Sequence, residues 1–352
     1  MTRSFAASLR LLLAAVLGIG LCGCELVLAP SDGDGDDVVT LPETFILAGS
    51  RTGTYAVVNP TTGEDIVEIS PDTHSLGLRT LGFGGQRVYF LSTPGPLNGT
   101  LNIYGCDALT GENLVKLTAF EGMGASILDG SLVEAKLVFA AYTNETPQTS
   151  HIYTINEDGT GQTQLTDSDD PLTLLDGTAV LSLGEGMPAW SPDGSRILYV
   201  ARVGEVGSIG MQYEAVVVMD ADGSDKEIVY DRSGTAHYRN VVWSHNCRFI
   251  ILGDVGDGEN KIRAVAVNST AVSDLTDALK TEATLENMAA SPDRFAIVFN
   301  YRIPGGGSLY TAELSATGDT VTVSAGPTQL TDALAAGHGY STPDWASYIP
   351  EE

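Results

Sequence analysis

The residues best suited to metal chemistry are five histidines in a chain of 352 residues. Three of them, His74, His237 and His338, fall in loops between segments with strand-like patterns, and imidazole nitrogens suit transition-metal ions. These loops introduce three different repeat units of the chain, and His237 belongs to a unit nearly across from the other two. Loop histidines exposed to solvent are therefore the favoured interpretation, and the sequence predicts no bound metal.

Two acidic runs resemble the beginning of a calcium loop. Residues 31–37 alternate Asp with Gly, but Glu43, at the position of the last ligand, follows an extended stretch and does not complete a loop. Residues 220–225 recur at other repeat units without their acids, which favours a hairpin turn. The sequence is compatible with calcium, yet it predicts no cofactor at either run.

The charge balance excludes one class of partner. With 45 acidic and 18 basic residues the net charge is −27, and such a field repels nucleic acid phosphates.

The chain also lacks the Gly-x-Ser-x-Gly nucleophile elbow of hydrolases. The sequence therefore predicts a protein that is not an enzyme.

The N-terminal segment has the pattern of a lipoprotein signal. Residues 1–10 contain two Arg and no acid, and residues 11–21 form an apolar run of about 16 Å as a helix, where a bilayer needs roughly 30 Å. The Gly23-Cys24 junction resembles the bacterial lipobox. This resemblance implies that Cys24 becomes the mature N-terminus and carries the lipid, with palmitate as an acyl group. Glu25 after it is typical of sorting to the outer membrane. We predict a signal peptide at 1–23 and an acidic Gly/Asp-rich tether at 24–42.

The rest of the chain repeats, and its repeat unit predicts the elements that position these residues. In residues 187–230 four β-rich runs are separated by a Pro-Asp-Gly turn, a variable loop and an Asp-Gly turn, as in an antiparallel meander. Six first strands and six second strands can be counted, but the chain starts on a second strand and ends on a first one. We therefore predict an all-β, six-bladed β-propeller at 43–349, with four-stranded blades and one blade shared by the two chain ends.

Single residues of the repeat have structural interpretations. Trp190, Trp243 and Trp345 occupy one position of three first strands, where a large ring packs between neighbouring blades more often than it stacks on a sugar. Cys106 and Cys247 belong to distant blades, so both are predicted to be unpaired thiols.

The repeat resembles that of a known family. Residues 189–197, residues 156–161 and the Leu-Thr-Asp endings of the last strands are similar to the WD40-like, or PD40, repeats of TolB-like β-propellers. TolB carries a separate N-terminal α/β domain, and no counterpart of it is seen in this sequence. Together with the lipobox and Glu25, the resemblance implies a lipid-anchored propeller of the bacterial cell envelope, at the outer membrane, facing the periplasm or the cell surface.

Two functions follow from that resemblance. The first is a non-enzymatic scaffold that binds an envelope protein or a glycan. The alternative is a metal-dependent lyase, because some TolB-like propellers resemble oligogalacturonate lyases that hold a metal ion with histidines; here His74, His237 and His338 would be the ligands.

One connection stands out as a binding segment. Residues 167–186 form a connection of about twenty residues, twice the usual length in this chain, and long loops in compact folds are often functional. Together with the loop at 203–214 it is predicted to form an apolar rim bordered by acids. The candidate partner-binding residues are Leu172, Leu174, Leu175, Asp176 and Glu185.

Overall fold

The computed structural model describes residues 25–28, 37–40, 44–50, 55–63, 65–69, 79–92, 100–108, 110–121, 123–143, 149–167, 170–205, 212–231, 237–256, 259–279, 284–302, 307–331 and 340–347. The predicted lipid-attachment residue Cys24 and the candidate metal ligands His74 and His338 lie outside these ranges, as does Glu43. No helix in these ranges is long and apolar enough to cross a membrane.

The chain is built almost entirely from strands, because short β-branched and aromatic runs alternate with Gly, Asp and Pro turns. A hairpin of β1 (Glu25–Leu28) and β2 (Asp37–Thr40) lies within the predicted tether. Blade 1 starts with β3 (Thr44–Ser50), β4 (Tyr55–Val58) and β5 (Asp65–Ile69). Blade 2 contains β6 (Arg79–Leu81), a 3-10 turn (Phe83–Gly85), β7 (Arg87–Ser92), β8 (Asn102–Asp107) and β9 (Val115–Lys116).

The remaining blades follow in chain order. Blade 3 contains β10 (Met123–Gly130), β11 (Lys136–Thr143), β12 (Ser150–Asn156) and β13 (Thr163–Gln164). Blade 4 contains β14 (Pro171–Thr173), β15 (Ala179–Trp190), β16 (Arg196–Glu205), β17 (Gln212–Asp220) and β18 (Glu227–Asp231). Blade 5 contains β19 (His237–Trp243), β20 (Phe249–Gly256), β21 (Glu259–Ala266), β22 (Val272–Asp274) and the short helix α1 (Thr276–Leu279). Blade 6 contains β23 (Thr284–Ala290), β24 (Ala296–Arg302), β25 (Leu309–Thr317) and β26 (Thr320–Gln329), and β27 (Tyr340–Ser347) ends the described chain.

The two ends of the chain close the ring, as predicted. Strand β27 pairs antiparallel with β3, from Tyr340 opposite Ser50 to Ser347 opposite Thr44, and the sheet order of blade 1 is β27-β3-β4-β5. The innermost strands β6, β10, β15, β19, β23 and β27 contact one another in cyclic order. The six-bladed propeller is thus confirmed, and its innermost strands surround a central channel.

The Leu-Thr-Asp endings stabilise the blades through their threonine hydroxyls. In blade 3, Thr166 Oγ1 accepts the N–H of Ile152 at 2.9 Å, so the hydroxyl replaces a missing backbone acceptor at the start of β12. The same bond joins Thr118 to Ile103 at 2.9 Å, Thr276 to Ile262 at 3.0 Å and Thr331 to Leu309 at 2.9 Å. The recurrent threonine of the repeat therefore has a structural role.

The three tryptophans pack between blades, as their position in the repeat predicts. Trp190, Trp243 and Trp345 are 7%, 3% and 3% exposed and belong to three different core clusters. The guanidinium of Arg196 lies 5.1 Å from the ring centre of Trp243, and that of Arg294 lies 4.7 Å from that of Trp345. Core packing with an arginine over the ring thus accounts for two of these side chains.

Blade 4 departs from the four-stranded prediction. The connection at 167–186 is not a loop, because β14 pairs with the first residues of a long β15 and makes this sheet five-stranded. Buried Leu172, Leu174 and Val180 alternate with more exposed residues, so one face of this hairpin packs into the core. Gly177, with a φ of +90°, allows the tight turn between the two strands.

Candidate functional site

A cavity of about 590 Å³ lies inside the ring, between the innermost strands of all six blades. Pockets that bind small ligands have volumes of roughly 300 to 1,000 Å³, so this cavity is large enough for one. Its wall includes Leu132, Pro192 and Pro292, which lie in turns between first and second strands. The cavity therefore extends to the face of the propeller that carries these turns, which we call the turn face.

Six equivalent positions, one in each blade, line this cavity and are called the channel ring here. In blades 1, 4 and 5 the channel-ring residue is the one directly before the repeat tryptophan. In the other blades it is the residue at the same register position of the innermost strand. In blade order the channel ring consists of Asp344, Thr80, Asp129, Ala189, Val242 and Ala289. Blades 1 to 3 thus give the ring a polar half, and blades 4 to 6 give it an apolar half.

The polar half of the channel ring joins neighbouring blades. An innermost strand has no strand on its channel side, so its inward N–H groups need other acceptors. Each polar ring residue accepts an N–H from the next blade. The bonds are Asp344 Oδ2 to Leu81 N at 2.8 Å, Thr80 Oγ1 to Gly130 N at 3.0 Å and Asp129 Oδ2 to Trp190 N at 2.8 Å. Side chains of the ring therefore connect blades 1 to 4.

This close approach of blades 2 and 3 predicts a large effect of one methyl group. A Cβ at Gly130 would lie 2.0 Å from the carbonyl oxygen of Leu81, which is backbone and cannot move aside. We expect Gly130→Ala to lower the free energy of unfolding by about 2 kcal/mol, as overpacking of a core does. Gly186→Ala is the matched control in β15, because its Cβ would meet nothing within 4 Å. Urea unfolding of both variants checks this, and equal midpoints would contradict the close approach.

The two carboxylates of the channel ring lie on either side of one hydroxyl group. Thr80 Oγ1 is 3.0 Å from Asp344 Oδ2 and 3.5 Å from Asp129 Oδ1. Desolvation first, and then the charge of Asp344, raise the pKa of Asp129 to about 8. Burial likewise raises the pKa of Asp344. The raised pKa of Asp129 therefore favours one proton on the pair at neutral pH.

Two indole groups on the cavity wall have unused hydrogen-bonding capacity. The Nε1 atoms of Trp190 and Trp345 are buried and have no acceptor in the described part of the chain. By contrast, Trp243 Nε1 donates to the carbonyl oxygen of Ala189 at 3.2 Å. All three tryptophans line the cavity, but the Nε1 atoms of Trp190 and Trp345 are themselves buried and are not exposed to it.

The histidines are not brought together in the described ranges. His237 begins β19, its side chain is 66% exposed, and its Nδ1 lies 3.0 Å from Glu214 Oε1. His74 and His338 lie outside the ranges, so the predicted trio is not tested. Within the ranges no group of three or more His, Cys, Asp or Glu side chains is placed to hold a metal ion.

The predicted partner-binding residues divide into two groups. Leu172 and Leu174 are buried at 4% and 8% exposure, and Glu185 is buried at 3%, so none of the three presents its side chain to a partner. Leu175 is 48% exposed and Asp176 is exposed, both at the tip of the hairpin. Binding at this tip stays a prediction for Leu175 and Asp176 alone.

Glu185 has a structural environment that the sequence did not indicate. Its carboxylate accepts a hydrogen bond from Thr166 Oγ1 at 3.0 Å, lies 2.9 Å from His151 Nδ1 and also contacts Ser182 Oγ. Burial raises the pKa of Glu185, although these partners oppose the shift. The cluster ties β15 of blade 4 to β12 and to the end of blade 3.

Two further sequence assignments agree with the structure, those of the cysteines and of the turn at 220–225. Cys106 and Cys247 are free thiols. Asp222 accepts hydrogen bonds from the backbone N and Oγ of Ser224 at 3.0 and 2.6 Å, which is the geometry of a hairpin turn.

Sequence reasoning missed the channel ring, although a signal for it was present. In β27 an aspartate stands directly before the tryptophan of the repeat, and Asp129 stands at the same position of a blade without tryptophan. Acids at a repeat position that faces the channel are such a signal, but only aligned blades reveal the position.

Solved structures of TolB proteins have an architecture similar to that of this chain. TolB from Acinetobacter baumannii aligns with a TM-score of 0.57 at 14% identity, over 86% of this chain and 66% of that chain. A structure described as TolB from Agrobacterium tumefaciens aligns with a TM-score of 0.52 at 16% identity, over 88% of this chain and 99% of that one. The chain has a TolB-like β-propeller fold.

Other comparisons set the scope of that likeness. A chain of the nidogen/laminin complex aligns with a TM-score of 0.55 at 8% identity, over 86% of this chain and 98% of that one. No family profile and no characterised protein sequence matches the chain. This TolB-like propeller covers about two thirds of the Acinetobacter protein. The similarity between the two proteins concerns the fold.

Proposed function

We propose that this TolB-like propeller is a lipid-anchored protein of the bacterial cell envelope, at the outer membrane, that binds an envelope protein or glycan and catalyses no reaction. The observation that carries the proposal is the cavity inside the ring, with a polar half and an apolar half. A concave site with a few converging polar groups on an apolar wall is the usual form of a binding pocket.

The chain path supports an orientation for the anchored protein. Thr44, the first residue of β3, pairs with Ser347, the last residue of β27, at the end where first strands turn into second strands. The chain that precedes Thr44 therefore leaves the ring on the turn face, towards which the cavity extends. An anchor at Cys24 would hold the turn face towards the membrane.

The anchor is tested at the cysteine itself. We expect the mature protein to start at a diacylglyceryl-modified Cys24 and Cys24→Ala to leave the membrane fraction or to accumulate as precursor, because the lipid is the proposed membrane contact. Mass spectrometry of the membrane-extracted protein identifies the first residue. Cys22→Ala is the control and should be processed like the parent; a mature start elsewhere would refute the lipid anchor.

Partner binding is tested by filling the cavity. We expect Ala189→Phe, which puts a ring into the apolar half of the channel ring, to abolish capture of a partner from solubilised membranes. Val272→Phe is the control, because Val272 is 43% exposed on an outer strand. Loss of capture in Leu175→Ser with retention in Ala189→Phe would move the binding site to the tip of the blade 4 hairpin.

A further inference from the structure

The carboxylates of the channel ring have no cationic partner among the described residues. Asp129 and Asp344 form no ion pair, as far as the described part of the chain extends. Among the described residues of the cavity wall Arg239 is the only cationic one, and its charge contributes to the pKa shift of neither aspartate. A partly buried pair of carboxylates without a countercharge is costly and favours any cation that can reach it.

The groups that face the pair leave room for a donor. Asp129 faces Thr80, the Gly130 and Trp190 N–H groups and the charge of Asp344. Asp344 faces Thr80, the N–H groups of Leu81 and its neighbour Trp345. The backbone donors go to Oδ2 of Asp129 and Asp344 in the bonds to the next blade, and Asp129 Oδ1 has Thr80 Oγ1 only at 3.5 Å.

The rest of the cavity defines what the cation must be attached to. Opposite the carboxylates lie Ala189, Val242 and Ala289, which suit an aliphatic stem. Trp190, Trp243 and Trp345 add aromatic surface to the same wall. A small metal ion would make no use of this apolar half.

We propose that the cavity binds a primary ammonium group on an aliphatic stem, between Asp129 and Asp344, with the stem against the apolar half of the channel ring. This chemistry is that of a lysine side chain in a partner segment or of a free alkylamine. The inference rests on the proposed binding function of the cavity and names the ligand group. Because the pair holds a proton at neutral pH, ammonium binding releases a proton from Asp129 to the buffer.

Calorimetric titration with three probes tests the proposal. The probes are the capped tripeptide Gly-Lys-Gly, the same peptide with norleucine in place of lysine, and n-hexylammonium. We expect the lysine peptide to bind at least tenfold more tightly than the norleucine peptide. If the lysine peptide binds more tightly than hexylammonium, the source of the ammonium group is a protein segment. Equal affinities of these two probes would identify a free amine. Equal binding of the two peptides, or no binding of any probe, would overturn the proposal.

Proton release and variants provide independent readouts. At pH 7, titrations in two buffers of different ionisation enthalpy should show up to about one proton released for each ammonium bound, and none in Asp129→Asn. Asp129→Asn and Asp344→Asn should each weaken binding at least tenfold, while Asp176→Asn at the hairpin tip should not change it. Unchanged affinity in both channel-ring variants would overturn the proposal.

The outcome is separable from that of the proposed function. If Ala189→Phe abolishes partner capture while no amine binds, the scaffold function stands and the ammonium proposal fails. If amines bind with proton release while Ala189→Phe leaves capture unchanged, the ammonium site stands and partner binding through the cavity fails.

Discussion

Deletion of residues 339–352 is expected to abolish the whole propeller, although it removes only one of the 27 strands in the described ranges. Strand β27 is the innermost strand of blade 1, and without it the edge of β3 faces the channel unpaired. The deletion also removes Trp345, which is 3% exposed, and the bond from Leu81 N to Asp344 Oδ2. Loss of a buried tryptophan side chain alone costs about 3–5 kcal/mol.

This loss is comparable with the total stability of a domain, about 5–15 kcal/mol. We therefore expect the truncated chain to show no cooperative thermal transition by circular dichroism. A chain that lacks only residues 349–352 is the matched control, because it keeps β27 whole, and it should melt like the parent. A truncated protein with an unchanged melting temperature would refute closure of the ring by the two chain ends.

Asp129→Asn is expected to stabilise the protein at alkaline pH, by on the order of 3 kcal/mol at pH 8. An asparagine keeps an oxygen for the N–H of Trp190 and places an amide N–H beside Thr80 Oγ1, so it replaces the protonated acid without its ionisation. The substitution also ends the repulsion between the two carboxylates, which is one cause of the raised pKa.

The sign of the pH dependence follows from the raised pKa. Asp129 binds its proton up to about pH 8 in the folded protein, whereas the unfolded chain releases it near its usual pKa of 3.8. Its contribution to stability is complete below pH 4 and is lost as the pH rises from 4 to 8. The gain from Asp129→Asn should therefore grow from pH 5 to pH 8.

Urea unfolding of the parent and the variant at pH 5, 6.5 and 8 measures this gain. Asp222→Asn is a control of opposite sign, because hydrogen bonds from Ser224 lower the pKa of Asp222 and favour its charged form. That variant should be less stable than the parent at pH 8. If the Asp129→Asn variant is less stable than the parent at pH 8, the raised pKa of Asp129 is contradicted.

The fold was predictable from the sequence because its information is local and repeated. Turn residues at fixed intervals predict each blade, and the incomplete units at the two ends predict the shared blade, which β27 and β3 confirm. The tryptophan position was predictable for the same reason. A large ring at one place in several repeats has one environment that suits it, the space between blades.

The blade 4 hairpin and the channel ring were not predictable in this way. Residues 167–186 contain Pro171, Gly177 and several acids, which indicate a loop. The pairing of Leu172 with Val180 depends on the extension of β15 beyond the usual length of a first strand, which these residues do not indicate. The channel ring depends on contacts between blades. Nothing local to Asp129 indicates that it accepts the N–H of a residue 61 positions later.

The position of β3 between two other strands has a mechanical consequence. A load that reaches the ring through the chain before Thr44 pulls on β3, which is hydrogen-bonded to β27 on one side and to β4 on the other. Antiparallel hydrogen bonds run perpendicular to their strands, so a pull along β3 shears all of them at once and does not open them one by one. Tension between a membrane and a captured partner would thus be borne by the strongest loading geometry that a sheet offers, at the point where the ring is closed.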